Sequence, residues 1–475
     1  MGPALTIEKE AMRRLGYRAV DIIVDHFAHL STKRVGSLKA RQEMEAIFRE
    51  VIPKEGMDPG ELLDFVEKEV VPNLTHLDHP RFFAFVPGPN NYMSVLAEFL
   101  AVGLNIFSGD WLGAPAAAQI ELVVIKWLTD LFQLPESAGG LFVSGGSMAN
   151  LMALVLAVHH KKQPEKVGVA YCSDQTHSCI ERAIRILGKE RMELRTIDTD
   201  ERFRMKGEQL SRAIQEDKGK GKQPVAVIAN AGTTNTGSVD DLKRIAEICE
   251  AENLWWHIDG AYGGVGILDE RQQELYVGIE QADSIAIDPH KWWFQPHETA
   301  CLLVRDQSQL SDVFYMMPEY LKDVDLSEEE INYSNYGIQL TRSFRAFKLW
   351  MSLKTFGLNN FALAVKRGIG LAELAEQEIR KYAGWVVVSP ASLGIVTFQF
   401  HQPGWSKEKI NQLNQAIMDE MLKSGFAMLS STALHGRRVI RLCAINPRTT
   451  EEDIKEAINQ LNNIAKTIEH ATQHA

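Results

Sequence analysis

The stretch SIAIDPHKWW, residues 284–293, joins a short apolar run to a lysine. The run Ser284–Ile287 predicts a strand, and Lys291 follows it closely. A lysine in this position is not typical of a solvated face, and its amine could form a Schiff base with an aldehyde cofactor. His290 beside it could hydrogen-bond a phosphate group. Taken alone, the stretch is explained equally well by plain packing of a lysine among aromatic neighbours.

The region around this stretch, from about Phe82 to Arg305, alternates short apolar runs with helical patterns. The predicted strands are Leu141–Val143, Val167–Cys172, Val225–Ala229, Leu254–Ile258, Ser284–Ile287 and Ala300–Val304. Helical segments such as Ala149–Lys161 and Leu242–Glu252 lie between them. This alternation predicts an α/β fold, a mainly parallel sheet with helices on both faces. In such sheets the ligand lies beyond the carboxyl ends of the strands.

Three further segments follow predicted strands and could take part in the same chemistry. The SGGS sequence at 144–147 offers a glycine-rich turn and a helix start, which together suit a phosphate group. Asp259 precedes the small residues Gly260 and Ala261, and its carboxylate could bind a cation such as a pyridinium nitrogen. His177 could lie flat over a planar ring. Singly, these residues are also typical of a serine-capped turn, a turn aspartate and a structural histidine.

The combination of these segments is more informative than any one of them. All four follow candidate strands, so a parallel sheet would bring them to one rim. A phosphate cradle, a stacking imidazole, a carboxylate and an amine are what pyridoxal phosphate requires of a protein. Their coincidence therefore predicts a pyridoxal-phosphate enzyme. SGGS matches neither the Walker A nor the GxGxxG pattern, which argues against nucleotide binding.

The chain divides into three predicted regions. Residues 1–80 predict a helical, dimer-forming segment, residues 81–345 a large cofactor-binding domain, and residues 346–475 a small α+β domain. An apolar stripe at helical spacing in the first region is expected to pack within the subunit or across a dimer, and consists of Leu15, Ala19, Ile22, Ile23, Phe27 and Leu30.

The region after residue 305 has its own predicted elements. The polar segment Asp323–Tyr336 lacks periodicity and predicts a mobile loop. A helix over Phe344–Phe356 is expected to stop at Gly357. The remaining predicted strands and helices are Gly394–Phe400, Val439–Cys443, Lys407–Ser424 and Glu451–Ala471.

Bulk composition excludes several classes of protein. The 475 residues carry a formal net charge of −11, which argues against a nucleic-acid partner because phosphate binding needs clustered basic residues. The cysteines number 5 and form no CxxC pair, so neither a disulfide framework nor a zinc site is expected, and no other metal is. We expect a cytoplasmic protein, because the N-terminus lacks a signal core and no stretch is apolar enough to span a membrane.

The motifs taken together resemble those of the group II amino-acid decarboxylases, specifically the aromatic-L-amino-acid decarboxylases of bacterial type. The resemblance runs from roughly Leu5 to Arg448 and is carried by DPHKWW (288–293), HIDGAY (257–262), SDQTHS (173–178), GTTNTGSVDD (232–241) and HPRFFAFVPG (79–88). It implies a fold-type I pyridoxal-phosphate enzyme with a seven-stranded type of sheet. It also implies a homodimer with interfacial active sites that converts tryptophan, phenylalanine, tyrosine or dopa to the amine and carbon dioxide.

The resemblance also implies a role for each matching position. Lys291 would carry the cofactor, Asp259 would pair with the pyridinium nitrogen, and His177 would stack on the ring. Ala261 would press on the opposite ring face. The other positions expected around the cofactor are Gly146, Ser147, Thr234, Asp288 and His290.

Tyr333 is the loop residue that separates the decarboxylases from their aldehyde-forming relatives. The resemblance implies a tyrosine that protonates the substrate α-carbon, and counting back from Phe344-Arg345 places it at Tyr333. Related aldehyde synthases have phenylalanine there, and some have asparagine in place of the stacking histidine. Retention of Tyr333 and His177 favours decarboxylation. Two alternatives remain: an aldehyde synthase or transaminase, and a catalytically inactive binding protein. The second is disfavoured because Lys291 and Asp259 are present.

Some positions depart from the family pattern. Asp288 replaces the usual asparagine, and Gly88 stands where a family threonine contacts the cofactor region. Thr341 stands where relatives often have glycine or serine, at a position linked to indole or phenol preference. The substrate pocket is predicted to include Phe85, Val86, Pro87 and Thr341, with Phe82 and Phe83 either there or in the core. The preferred aromatic substrate therefore stays open.

Overall fold

The computed structural model describes residues 5–163, 165–316, 319 and 330–473. Its centre is a seven-stranded sheet in the order β1-β7-β6-β5-β4-β2-β3. The strands are β1 Gly139–Val143, β2 Gly168–Ser173, β3 Met192–Ile197, β4 Gln223–Asn230, β5 Trp255–Asp259, β6 Ser284–Ile287 and β7 Ala300–Val304. The five strands β2 to β6 pair in parallel, and only β7 runs antiparallel to its neighbours β6 and β1. The predicted mainly parallel sheet is confirmed.

Helices cover both sides of this sheet. They are α5 Pro115–Leu131, α6 Gly146–Lys161, α7 Cys179–Leu187, α8 Gly207–Gly219, α9 Leu242–Glu252 and α10 Ser308–Phe314. The central strands are buried along their whole length, as sheets covered on two faces require. Strand β3 was not predicted from the sequence, because this edge strand is only partly buried and carries Glu193 and Arg195.

The N-terminal helices are α1 Lys9–His29, α2 Arg41–Phe48, α3 Pro59–Phe65 and α4 Tyr92–Gly103. Helix α1 has no fully buried residue within one chain. Of the predicted apolar stripe, Leu30 is buried just after the helix, whereas Leu15, Ile22 and Phe27 remain partly exposed. Packing within a single subunit therefore accounts for only part of the stripe.

The C-terminal part contains the long helix α11 Ala346–Arg380 and a second sheet. This sheet has the order β10-β11-β9-β8, with β8 Trp385–Ser392, β9 Ile395–Phe400, β10 Ser430–Leu434 and β11 Arg437–Cys443. Helices α12 Lys407–Ser424 and α13 Glu451–Gln473 pack against each other. The helix predicted to end at Gly357 does break there, where φ is 72°, but a second helical segment resumes at once and extends α11. The division of the chain at residues 80 and 345 stays a prediction.

The predicted loop Asp323–Tyr336 is described only from residue 330, and its residues 323–329 lie outside the described residues. The described end forms a short 3-10 helix, Tyr333–Asn335. Its position depends on Arg342, which is buried with Glu121 in an ion pair. The guanidinium also donates to the backbone oxygens of Ser108 and Phe142, at 2.9 Å each. Arg342 therefore attaches the segment 330–345 to the sheet edge.

We expect the substitution Glu121→Gln to destabilise the fold strongly. It would leave the Arg342 guanidinium buried without its counter-charge, and removing one partner of a buried pair costs about 3–5 kcal/mol. Thermal unfolding of the cofactor-free protein measures the loss. The control is Glu181→Gln, which removes an exposed partner of Arg185 and should cost less than about 1 kcal/mol. Equal melting temperatures for the two variants would contradict the importance of the buried pair.

Candidate active site

A cavity of about 280 Å³ opens at the carboxyl ends of the parallel strands. The sheet brings the four predicted segments together there, although they lie far apart in the sequence. Its lining residues are Gly145, Gly146, Ser147, Asn150, His177, Cys179, Asn230, Gly232, Thr234, Asp259, Ala261, Tyr262, Asp288, His290 and Lys291. All nine predicted cofactor-binding residues are among them.

Lys291 and Asp288 form an ion pair at the cavity wall. The Nζ atom lies 2.8 Å from Oδ2 of Asp288, whose side chain is only 3% exposed. Burial lowers the pKa of Lys291, but the carboxylates of Asp288 and Asp259 outweigh it and hold this pKa above its ordinary value. Oδ1 of Asp288 is buried and has no hydrogen-bond partner among the described residues. The amine is thus held as an ammonium by a carboxylate with spare acceptor capacity.

Asp259 ends strand β5 and points its carboxylate into the same cavity. Oδ1 accepts a hydrogen bond from the backbone N–H of Ala261 at 3.2 Å, and Oδ2 accepts one from Nδ2 of Asn150 at 3.1 Å. The side chain is 8% exposed, so the carboxylate lies in a largely dry environment. Two donors fix its orientation.

His177 lies exposed at the cavity mouth, after strand β2. Desolvation, with the positive charge of Lys291, lowers its pKa, although Asp259 acts in the opposite direction. Its Nδ1 accepts a hydrogen bond from the backbone N–H of Cys179 at 3.2 Å. The ring is therefore neutral near pH 7, with its proton on Nε2.

The start of helix α6 has the features of an anion site. Gly145 is the N-cap residue, and no side chain caps the helix. The first N–H groups therefore face the cavity unpaired by any cap. A Cβ at Gly146 would lie 2.8 Å from a carboxylate oxygen of Asp288, so the close approach of these segments requires glycine.

His290 closes the other side of this anion site. Its Nδ1 accepts a hydrogen bond from the backbone N–H of Thr299 at 3.1 Å. Desolvation, with the charge of Lys291, lowers its pKa to about 3, so the ring is neutral and carries its proton on Nε2. This leaves an N–H donor beside the helix start.

Thr234 connects the cavity to the second sheet. Its backbone oxygen accepts a 2.7 Å hydrogen bond from Nε of Arg441, which also donates to the backbone oxygen of Phe85. Arg441 is 2% exposed. The predicted pocket segment 85–87 is therefore held near the site by a residue of β11. No pattern in the sequence indicated that this arginine would be buried beside the site.

The structure does not bring every predicted site residue into the cavity of one chain. Tyr333 is 1% exposed, lies under the Arg342 guanidinium at 4.8 Å from the ring centroid, and is absent from the cavity lining. Phe85 is 60% exposed, and Thr341 is exposed. Val86 and Pro87 are partly and fully buried, respectively. The catalytic and substrate-pocket roles of these residues stay predictions.

One group of possible metal ligands occurs among the described residues, distant in sequence from the cavity. Nε2 of His26 lies 2.9 Å from Oδ2 of Asp78, and His76 stands beside them. Nζ of Lys33 lies 3.4 Å from Nδ1 of His26. An ammonium donating to Nδ1 places the His26 proton on Nε2, toward Asp78. The ring nitrogens of His26 and the carboxylate of Asp78 therefore have hydrogen-bond partners without a bound metal ion.

Comparisons with known proteins show which family this chain resembles along its whole length. The sequence is 46% identical over 471 residues to an aromatic-L-amino-acid decarboxylase of Bacillus atrophaeus, covering 98% of each chain. It is 31% identical to a phenylacetaldehyde synthase of Petunia hybrida, covering 97% of this chain and 95% of that one. The structure superposes on Oryza sativa TDC with PLP and tryptamine at a TM-score of 0.91 and 25% identity, covering 98% and 100%. The model of the pyridoxal-dependent decarboxylase conserved domain matches residues 42–401, and the chain therefore belongs to the pyridoxal-dependent decarboxylase family.

Proposed function

We propose that this protein uses pyridoxal phosphate to decarboxylate aromatic L-amino acids to the corresponding amines and carbon dioxide. The observation that carries the proposal is the position of Lys291. Its amine lies in one cavity with a strand-end carboxylate, a neutral histidine at the mouth and an uncapped helix start. The similarity to the Bacillus decarboxylase supports the aromatic substrate class.

The residues of the cavity fit the cofactor group by group. The N–H groups at Gly146 and Ser147, with Nε2 of His290, suit the phosphate. Asp259 suits the protonated ring nitrogen, and Lys291 suits the aldehyde carbon. Asp288 and Thr234 complete the surroundings.

When bound, the cofactor supplies a protonated ring that accepts the electron pair left on the α-carbon as carbon dioxide departs. Asp259 keeps the ring nitrogen protonated because its anionic oxygens are held by two donors. His177 and Ala261 would enclose the two faces of the ring. Lys291 would hold the cofactor through its aldehyde carbon in the absence of substrate, and its amine would be the group that releases the product.

Tyr333 is proposed to deliver the proton to the α-carbon from its Oη atom. Burial raises the pKa of this phenol well above its ordinary value, so the proton is retained until a base of sufficient strength forms. Tyr333 is buried under Arg342, outside the cavity of its own chain, so we propose that residues 330–345 take another position when a second subunit completes the site. Its neighbours Ile338 and Leu340 are about half exposed, at 53% and 45%, which is consistent with a surface that another subunit covers.

We propose a homodimer because large apolar side chains are exposed on helices α1 and α4. Helix α4 and the residues after it expose Phe99, Val102 and Leu104 at 59%, 68% and 70%. Helix α1 exposes Tyr17 at 65% as well. Monomers rarely leave contiguous apolar surface of this kind open to water. A second copy of the chain would cover it.

We also propose a cytoplasmic enzyme without a nucleic-acid partner. The five cysteines are free and buried, which suits a reducing compartment, and the net charge of −11 disfavours phosphate polymers. In the part of the chain that the structure describes, no helix is both long and apolar enough to cross a membrane.

Lys291→Ala should abolish amine formation and should also prevent labelling of the protein by borohydride in the presence of pyridoxal phosphate. The amine is the only group proposed to bond the cofactor covalently. Purified wild-type protein should be yellow and should form amine and carbon dioxide from at least one of tryptophan, phenylalanine, tyrosine and dopa. A colourless wild-type protein that borohydride leaves unlabelled would overturn the proposed function.

Tyr333→Phe should reduce amine formation by about 10²–10⁴-fold, the range for loss of a proton donor. The product should shift to an aldehyde, with oxygen and water consumed and carbon dioxide, ammonia and hydrogen peroxide released. Chromatography of amine and aldehyde, together with a peroxide assay, measures the partition. Tyr336→Phe, at the residue that directly follows the same short helix, is the matched control and should keep the amine as product. An unchanged amine yield in Tyr333→Phe would remove this residue from the mechanism.

Asp288→Asn should speed the uptake of pyridoxal phosphate by the cofactor-free protein below about pH 9. The carboxylate raises the pKa of Lys291, so its removal lowers this pKa and increases the fraction of neutral amine at a given pH. The rate of yellow colour formation, followed against pH, should show a midpoint at lower pH than in the wild type. A midpoint that stays in place or moves upward would show that Asp288 does not control the lysine.

A further inference from the structure

A chain of buried hydrogen bonds runs through the sheet and ends on Asp259. Nε1 of Trp255 lies 2.9 Å from Oγ of Ser284, which in turn lies 2.9 Å from Nδ1 of His257. Nε2 of His257 lies 2.6 Å from Oδ1 of Asn150, whose Nδ2 lies 3.1 Å from Oδ2 of Asp259. Every member is at most 8% exposed.

The carboxylate end of this chain, together with the neutral state of His257, fixes the direction of its hydrogen bonds. The indole of Trp255 can only donate, so the Ser284 oxygen accepts from it and keeps its own hydroxyl proton for Nδ1 of His257. At the other end an ionised carboxylate can only accept, so the Asn150 amide must turn its NH₂ group to Asp259. The amide oxygen then accepts from Nε2–H of His257.

The histidine in the middle is neutral. Complete burial lowers the pKa of His257 to about 4, although the charge of Asp259 acts in the opposite direction. Its single proton lies on Nε2, because Nδ1 accepts from Ser284. No net charge is therefore added to the sheet, and all the donors are aligned toward one carboxylate. Aligned hydrogen bonds in a low-dielectric interior strengthen one another.

We propose that Asn150 and His257 are positioning residues that hold Asp259 ionised and oriented, so that the cofactor ring nitrogen keeps its proton. This inference rests on the proposed function. Asn150 touches Asp259 directly, and His257 acts through Asn150. Without them, Oδ2 of Asp259 would lose its side-chain donor in a place that water hardly reaches. The proton shared with the ring nitrogen would then move toward the carboxylate.

If this buried network had a purely structural role, substitutions in it would affect the cofactor differently. Two substitutions of His257 distinguish that role from the positioning role. His257→Gln keeps an amide N–H for Asn150 and an amide oxygen for Ser284. His257→Leu is similar in size but offers neither. If the network serves only packing, the two variants should bind and protonate the cofactor like the wild type, whatever their stability.

The experiment uses the full-length cofactor-free protein, with pyridoxal phosphate as the probe. Fluorescence titration gives its dissociation constant, and the ¹⁵N chemical shift of ring-labelled pyridoxal phosphate reports protonation of the ring nitrogen. We expect His257→Leu to raise the dissociation constant about tenfold, the cost of one unsatisfied buried polar group. Its ¹⁵N signal should move toward the unprotonated form, whereas His257→Gln should restore both values to within about threefold of the wild type.

Ser284→Ala supplies a second test, since it removes only the hydroxyl that joins Trp255 to His257. It leaves Nδ1 of His257 without its donor, so the histidine proton is no longer confined to Nε2. We expect a smaller shift of the ¹⁵N signal in the same direction and a dissociation constant raised about threefold. Thermal unfolding of each cofactor-free variant reports its stability separately.

The outcomes distinguish this inference from the proposed function. Wild-type values of both the dissociation constant and the ¹⁵N shift in Ser284→Ala, or in a folded His257→Leu, would overturn the positioning role and leave the proposed function intact. Failure of the wild-type protein to bind pyridoxal phosphate at all would overturn both. If His257→Leu does not fold, Ser284→Ala decides the matter.

Discussion

The structure depends on charges buried at the carboxyl rim of the large sheet. An isolated ammonium or carboxylate costs too much to bury, so each must have a partner of opposite charge or a set of donors. Lys291 has Asp288 at 2.8 Å, and Asp259 has two N–H donors. These partners come from α6 and from the residues that directly follow β5 and β6. The rim therefore functions only if several distant parts of the chain reach it together, and the parallel strand order makes that possible.

The histidines of the cavity add hydrogen bonds without adding charge. Burial lowers the pKa of both His177 and His290, so near pH 7 they are neutral. A phosphate beside them would meet N–H donors and the positive end of helix α6 rather than a full counter-ion. Asp288, with its unpartnered Oδ1, adds negative charge near the same helix start. The family resemblance implies an uncharged asparagine at this position, and an aspartate there makes the site more negative.

The sequence predicted the fully buried strands, the edge strand β1 included, and missed the other three edge strands. Strand β6 has the predicted bounds, because its apolar run is bounded by a polar residue and a proline. The three strands that were missed, β3, β8 and β10, each lie at the edge of a sheet. An edge strand has one neighbour and a partly exposed face, so its sequence carries charged residues that interrupt the apolar pattern of a strand. The sequence MELRTI of β3 is an example. Asn150 was missed for another reason: on a helix, an asparagine gives no signal until the fold places it against Asp259.

The parts of the site that one chain leaves incomplete are apolar. The cavity of a single chain is lined mainly by charged and polar groups, with Ala261, Tyr262 and Cys179 as the apolar exceptions among the described lining residues. An aromatic side chain needs a larger apolar wall than these three supply. Meanwhile Phe85 is exposed, and so is the apolar surface of α4. A second chain that packs against this site would bury the exposed apolar surface. The same contact would add apolar side chains to the wall of the substrate pocket.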